Sequence, residues 1–211
     1  MNYIPMRLRI LIGIFVVLTP LVIWRIASSG DPAPSTSPEV QAIRKDRIDG
    51  NVEGLTKKIK TYSPKHAGRA VTVLGTMGAK SLPVLKVILL EDKRPEIRQL
   101  AAQALAESVQ ASAPAEKPLT KQMTAALATA VATDKSPEVR AAAASALGRV
   151  YDYANMDSLL KAMDDEDINV RRKAYQAVSR IFGRKYIFNI NSPSAERQVA
   201  IKGIATDWQT F

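Results

Sequence analysis

Three acid–base pairs stand at one spacing in this chain. Asp92 precedes Arg98, Asp134 precedes Arg140 and Asp165 precedes Arg171, by six residues each time. Guanidinium and carboxylate groups at a fixed spacing offer two kinds of chemistry. A row of Arg side chains could hold phosphate groups. Alternatively, each Arg forks onto a carboxylate and fastens one helix to the next. We read the pairs as a structural ladder: an Arg opening one helix meets an Asp ending the preceding one, within or between repeats. Half-buried pairs of this kind specify geometry more than they add net stability. Other reactive groups are scarce. There is no Cys, so no disulfide, thiolate nucleophile or Cys-based metal site can form. His66 is the single histidine, and no nucleophile–base pair can be assembled around it. Gly75 and Gly78 lie close together but lack the P-loop lysine pattern. Residues 164–167 form an acidic turn without the spacing and glycine of a calcium loop. The expectation is no catalytic residue, no cofactor and no metal. Catalysis by carboxylates alone stays open, because which residues face each other across a superhelix is not written in sequence.

The elements that must position these pairs follow from hydrophobic periodicity. Aligned on Leu74, Leu105, Leu147 and Val178, the units are spaced by 31, 42 and 31 residues, so one carries an insertion of 11. Ile97, Ala101, Ala104 and Leu105 repeat as Val139, Ala143, Ala146 and Leu147, then as Val170, Ala174, Ala177 and Val178. This i, i+4, i+7, i+8 pattern is one face of an amphipathic helix, and its alanines allow helix axes to approach closely. His66, Ala70, Val73 and Leu74 make an earlier, atypical unit, as expected of a terminal repeat. There His66 takes a core-entry position and is expected to be partly buried rather than a general base. Thr61 and Ala67 replace the Asp and the Arg; both are lost together, which fits two groups that need each other. The preceding first helices are expected around Val52, Leu55, Ile59 and Tyr62, then over residues 79–90, 119–133 and 156–163. Residues 110–118 hold the insertion and predict one longer inter-repeat loop. A period near 30 with paired helices is the signature of an α-solenoid. The fold expected is therefore all-α: an α-α superhelix of about four repeats, its second helices lining the concave side.

Pro95-Glu96-Ile97-Arg98 with Ala101 to Leu105, and Pro137-Glu138-Val139-Arg140 with Ala141 to Gly148, resemble HEAT repeats. The short period is similar to the HEAT-like subclass associated with phycobilisome lyases. The resemblance covers residues 51–183 and implies a scaffold that presents a surface to partners; a bilin-lyase-like enzyme or chaperone is an alternative it also implies. HEAT-like metal hydroxylases carry paired His-Glu motifs for iron. Here Ala67 follows His66 and no second His exists, so that site cannot be built.

Residues 10–24 are an uninterrupted uncharged run, preceded by Arg7 and Arg9 and closed by Arg25. As a signal peptide its apolar core has about the right length. As an anchor it is short, but Leu8 and Ile26 extend it, the arginines can snorkel and Trp24 sits where an interfacial aromatic would. Arg25 is awkward in a cleavage region, so the anchor is preferred, with export the alternative. The charged front puts the repeats on the non-cytoplasmic side. The domains expected are a membrane or signal segment at residues 1–27, a Pro/Ser-rich linker at 28–38, the repeat array at 39–183 and a capping segment at 184–211. In that cap, residues 195–206 are expected to form a helix with Val199, Ile201, Ile204 and Trp208 apolar.

The net charge is +10, which draws the array towards anionic partners. Arg172, Lys173, Arg180, Arg184 and Lys185 form the densest cluster off the apolar stripe, beside Tyr175, Phe182, Tyr186 and Phe188. They are a candidate anionic-partner surface, although a solvated helix face beside a packed cap is the preferred account of them. A nucleic-acid binder would need a cytoplasmic location, which the apolar amino-terminal run disfavours. The expected function is a non-enzymatic scaffold, membrane-tethered or exported, that binds a protein partner.

Overall fold

A computed structural model describes residues 37–112, 117–151 and 153–210. The chain divides after Pro38 into two units, and the helical array belongs to the second, Glu39–Phe211. The apolar run at residues 10–24 and nearly all of the linker lie outside the described residues. Among the described residues no helix is long and apolar enough to cross a membrane.

Ten α-helices are described: α1 Pro38–Asp49, α2 Val52–Thr61, α3 Pro64–Gly75, α4 Leu82–Glu91, α5 Pro95–Ala111, α6 Lys117–Thr133, α7 Pro137–Val150, α8 Met156–Ala162, α9 Ile168–Phe182 and α10 Ser194–Gln209. Local chemistry sets most of their boundaries. Pro64, Pro95 and Pro137 occupy the first turn of α3, α5 and α7, where a missing N–H costs nothing. The Asn51 side chain caps α2 by accepting from Gly54 N at 2.9 Å. Asp167 caps α9, accepting from Asn169 N at 2.8 Å and Val170 N at 3.1 Å. Gly183 ends α9 at φ 69°, the left-handed conformation that glycine adopts without penalty. Tyr151 ends α7 in the same region at φ 53°, where a side chain is strained.

From α2 to α9 the helices alternate between two layers. Each even-numbered helix packs on the odd-numbered helix that follows it. The odd layer runs α3, α5, α7, α9, and its neighbour contacts are the densest in the molecule. The reason is visible in side-chain size. A Cβ on Gly148 would lie 2.6 Å from the Ala177 Cα, and one on Gly75 would lie 3.0 Å from the Ala104 Cα. Gly75 and Gly148 each follow their repeat's reference leucine, and Ala104 and Ala177 each precede that of the next repeat. The same contact therefore recurs at two seams. Leu74, Leu105, Leu147 and Val178 are fully buried between the layers; removing such side chains from water is worth about 1.5–3 kcal/mol each.

Three expectations are corrected. The insertion is not a loop throughout: residues 110–111 end α5 and residues 117–118 open α6, which reach 17 residues each, while residues 113–116 lie outside the described residues. Residues 79–90 are not one helix: a 3-10 turn at Gly78–Ser81 precedes α4. In α10, Val199 is 73 % exposed while Ile204 is 3 % exposed. The face that meets the array carries Ile201, Ile204 and Trp208, at i, i+3 and i+7, and Val199 falls off that stripe.

Candidate functional site

The recurring Asp and Arg side chains form bonds both within and between repeats. Arg98 Nε and Nη2 donate to Asp134 Oδ2 and Oδ1 at 2.7 and 2.8 Å, a fork from one repeat to the next. The third nitrogen, Nη1, donates to the backbone carbonyl of Asp92 in its own repeat at 2.9 Å. Arg140 repeats the arrangement: Nε and Nη2 to Asp165 at 2.9 and 2.8 Å, Nη1 to the Asp134 carbonyl at 3.0 Å. Each carboxylate also closes the turn that follows it. Asp92, Asp134 and Asp165 accept from the backbone N–H two residues on, each at 2.9 Å. One Asp–Arg contact thus ties two helix starts and a helix end together. Burial pushes the Asp134 carboxyl up, but Arg98 and the Ser136 N–H outweigh it and hold the group below the usual carboxylate range.

The ends of the ladder show how its members are replaced. Because the carboxylate partner lies in the next repeat, Ala67 would have served Asp92, not Thr61. The paired loss at Thr61 and Ala67 is therefore not the loss of one contact. Asp92 survives and takes Arg94 instead, through Nε at 2.9 Å and Nη2 at 2.8 Å. Arg94 also reaches the Ile59 carbonyl at 3.1 Å, so the first seam is still bridged. Those bonds hold the Asp92 carboxyl below its ordinary range against burial. At the other end Arg171 has no following Asp. Its Nε donates to the Ile190 carbonyl at 2.9 Å and its Nη1 to the Asp165 carbonyl at 2.8 Å. The capping segment supplies a main-chain oxygen where a further repeat would supply a carboxylate.

The acidic turn is occupied by structural contacts. Asp164 accepts from Ser194 Oγ at 2.6 Å, Arg197 Nε at 2.7 Å and Gln198 Nε2 at 3.1 Å, which fastens α10 to the array. Glu166 joins Asp165 on Arg140 at 3.1 Å, and Asp167 caps α9. No group of side chains suited to a metal is found among the described residues. His66 is half-buried at the start of α3, its Nδ1 3.2 Å from Ser63 Oγ. Its ring meets Tyr62 edge-on, with centroids 6.4 Å apart.

Arg172, Lys173, Arg180, Arg184 and Lys185 are all exposed, but they do not form one patch. Lys173 and Arg180 are seven residues apart and share a face of α9, whereas Arg172 lies a quarter-turn away and donates to Asn169 Oδ1 at 2.6 Å. Arg184 is committed to the cap: it donates to Tyr186 Oη at 2.9 Å, covers that ring at 4.7 Å and pairs with Asp207. Tyr186, Phe182, Trp208 and Tyr153 pack as successive rings, with centroids 5.5 to 6.0 Å apart.

The sequence puts the partner surface on the second helices without naming its residues; a groove of about 360 Å³ lies across three of them, α5, α7 and α9. Ala141, Ala142, Ser145 and Ala146 of α7 line it, with Gln99 and Gln103 of α5 on one side and Asn169 and Lys173 of α9 on the other. Arg149 stands at one end, 3.7 Å from Glu107. Gln99 and Gln103 share a helix face outside the apolar stripe; marking that face on each second helix would have located the groove.

Residues 124–195 match the family of HEAT repeats, and residues 95–150 match the HEAT-like repeat. No curated protein matches the chain. Among solved structures, the CpcE–CpcF complex of phycocyanin lyase from Nostoc is 20 % identical over 76 % of this chain and 99 % of that one, with a TM-score of 0.49. A designed armadillo repeat protein in complex with a (KR)4 peptide is 17 % identical over 77 % and 74 %, with a TM-score of 0.47. A further engineered protein is 19 % identical over 82 % and 77 %, with a TM-score of 0.49.

Proposed function

We propose that this HEAT-repeat array is a binding scaffold that receives a segment of a partner protein in the groove across α5, α7 and α9. The groove's composition is the observation that carries this. Small side chains on α7 leave room for a chain to lie flat, and the amides of Gln99 and Gln103 can donate to and accept from its backbone. Residues 10–24 fix the array to a membrane, with the repeats on the non-cytoplasmic side, and residues 28–38 act as the spacer.

A photo-crosslinking residue at Gln103 in the full chain, compared with one at the exposed Lys121 of α6, tests the groove. A discrete protein adduct from native membranes is expected at position 103 and not at 121. Ser145→Tyr, which fills the groove from the floor, should cut that adduct about tenfold while the thermal midpoint stays within a few degrees of the parent. Equal adducts at both positions, or an adduct untouched by Ser145→Tyr, would dismiss the groove as the binding site.

A further inference from the structure

At the amino-terminal end of the array, α1 and α3 flank an open cleft of about 510 Å³. Its floor is apolar, with Val40 and Ile43 from α1 and Leu100 reaching across from α5. Leu100 can cross because α3 carries Gly68 there: a Cβ would lie 2.8 Å from Leu100 Cδ1. Around this floor stand Arg44, Arg47, Lys65 and Arg69. Elsewhere in the array Arg94, Arg98, Arg140, Arg149, Arg184 and Arg197 each meet a carboxylate. Among the described residues the four cations of the cleft are in no such pair, and no carboxylate lines it. Four uncompensated positive charges around an apolar trough complement a ligand that is anionic at one end and hydrocarbon at the other.

We propose that this cleft docks the array onto an anionic phospholipid at a bilayer surface, the phosphate among the four basic side chains and the upper acyl chain against Val40, Ile43 and Leu100. The choice of a lipid over an acidic protein segment rests on the proposed membrane placement of residues 10–24. Thirteen residues separate Trp24 from Pro38, and a fully extended chain of that length spans at most about 45 Å. The cleft is then confined near the bilayer at high effective concentration. An anionic surface attracts each nearby Lys or Arg by about fivefold in partitioning, within a Debye length.

The absence of Cys permits a single reporter. Thr72→Cys lies exposed beside the cleft and can carry an environment-sensitive NBD fluorophore, with Gln176→Cys on α9 as the distant control. The full chain is reconstituted into phosphatidylcholine vesicles and into equimolar phosphatidylcholine–phosphatidylglycerol vesicles. Emission at position 72 should rise several-fold only in the mixed vesicles, and position 176 should not respond. Arg44→Gln/Arg69→Gln should lower partitioning into the mixed vesicles about 25-fold, Arg44→Glu/Arg69→Glu further, and circular dichroism should show both still folded. Equal emission in both vesicles, or emission indifferent to these substitutions, overturns the proposal. So does a response to an acidic amphipathic peptide without a response to the mixed vesicles. Alkaline carbonate extraction of the same vesicles separates this outcome from the fate of the anchor. Protein that resists extraction without a signal at position 72 sinks the cleft alone; protein that is extracted yet responds before extraction sinks only the anchor.

Discussion

Arg98 is tied to two repeats by different atoms, and this predicts how its removal will behave. The Arg98 and Asp134 side chains are only 14 % and 9 % exposed. Deleting either leaves a charge with little access to water, and breaking such pairs costs up to about 3–5 kcal/mol. Arg98→Met should therefore lower stability by about 2–4 kcal/mol. Asp134→Asn keeps an oxygen for the Ser136 N–H, so combining it with Arg98→Met should cost less than the sum of the two. Denaturant melts of the four-member cycle should give a coupling of about 1–3 kcal/mol; strict additivity would mean that the fork contributes nothing across the seam. The residues of this ladder were legible in the sequence because their spacing repeats. Their register was not. A six-residue spacing states that Asp and Arg belong together but not which copy meets which, since the bridge crosses 36 residues from Arg98 to Asp134. Arg94 was not legible either: it is a local replacement found at one seam, and a single occurrence has no period.

Helix α7 lies against α9 more closely than a methyl group allows at Gly148, whereas Gly203 in α10 has nothing within 4 Å of an added Cβ. The same substitution should therefore act in opposite directions at the two sites. Gly148→Ala must push α9 outward or shift its backbone, at about 1–3 kcal/mol. Gly203→Ala relieves the entropy that glycine loses in a helix interior and should stabilise by about 0.5–1 kcal/mol. Thermal melts of the two variants decide it, and a neutral or stabilising Gly148→Ala would contradict the close seam. At this scale the period gave the second helices α3, α5, α7 and α9, since their stripe residues face the core at each turn. It failed where the signal was length rather than pattern. Residues inserted relative to a 31-residue neighbour look like a loop, yet Gln110 and Ala111 continue α5 and Lys117 and Pro118 open α6, since Gln, Ala and Lys are good helix formers and proline is tolerated in a first turn. The groove lies on the second helices, where the concave side was expected, but its lining was hidden for a related reason: apart from Ala146, its residues lie off the stripe.

In a stacked array each seam depends on its neighbours, so changes that act on several seams at once have larger effects than any single pair. Acid is such a change. Asp92 sits at the first seam, Asp134 at a central one and Asp164 at the cap, and all three carboxyls are held below their ordinary range. For Asp92 the Arg94 hydrogen bond is the main cause; for Asp134 and Asp164 burial opposes the shift but hydrogen bonds and guanidinium charges prevail. Groups whose folded pKa lies below the unfolded one stabilise fully above the unfolded value, about pH 4, and that contribution is lost as pH falls through the lowered folded values. The net charge of +10 grows as other carboxylates are neutralised, and self-repulsion adds to the loss. The thermal midpoint should hold steady from about pH 7 to 5 and fall steeply below about pH 4. Asp164→Asn abolishes the charge that α10 holds through Arg197, so it should lower the midpoint at neutral pH and flatten the acid limb. Salt screens exposed charges but not half-buried pairs, so raising it should soften the acid transition without restoring the neutral midpoint. Circular dichroism melts across this pH range, at low and high salt, would refute the shared role of these carboxylates if the midpoint stayed level down to about pH 2.5.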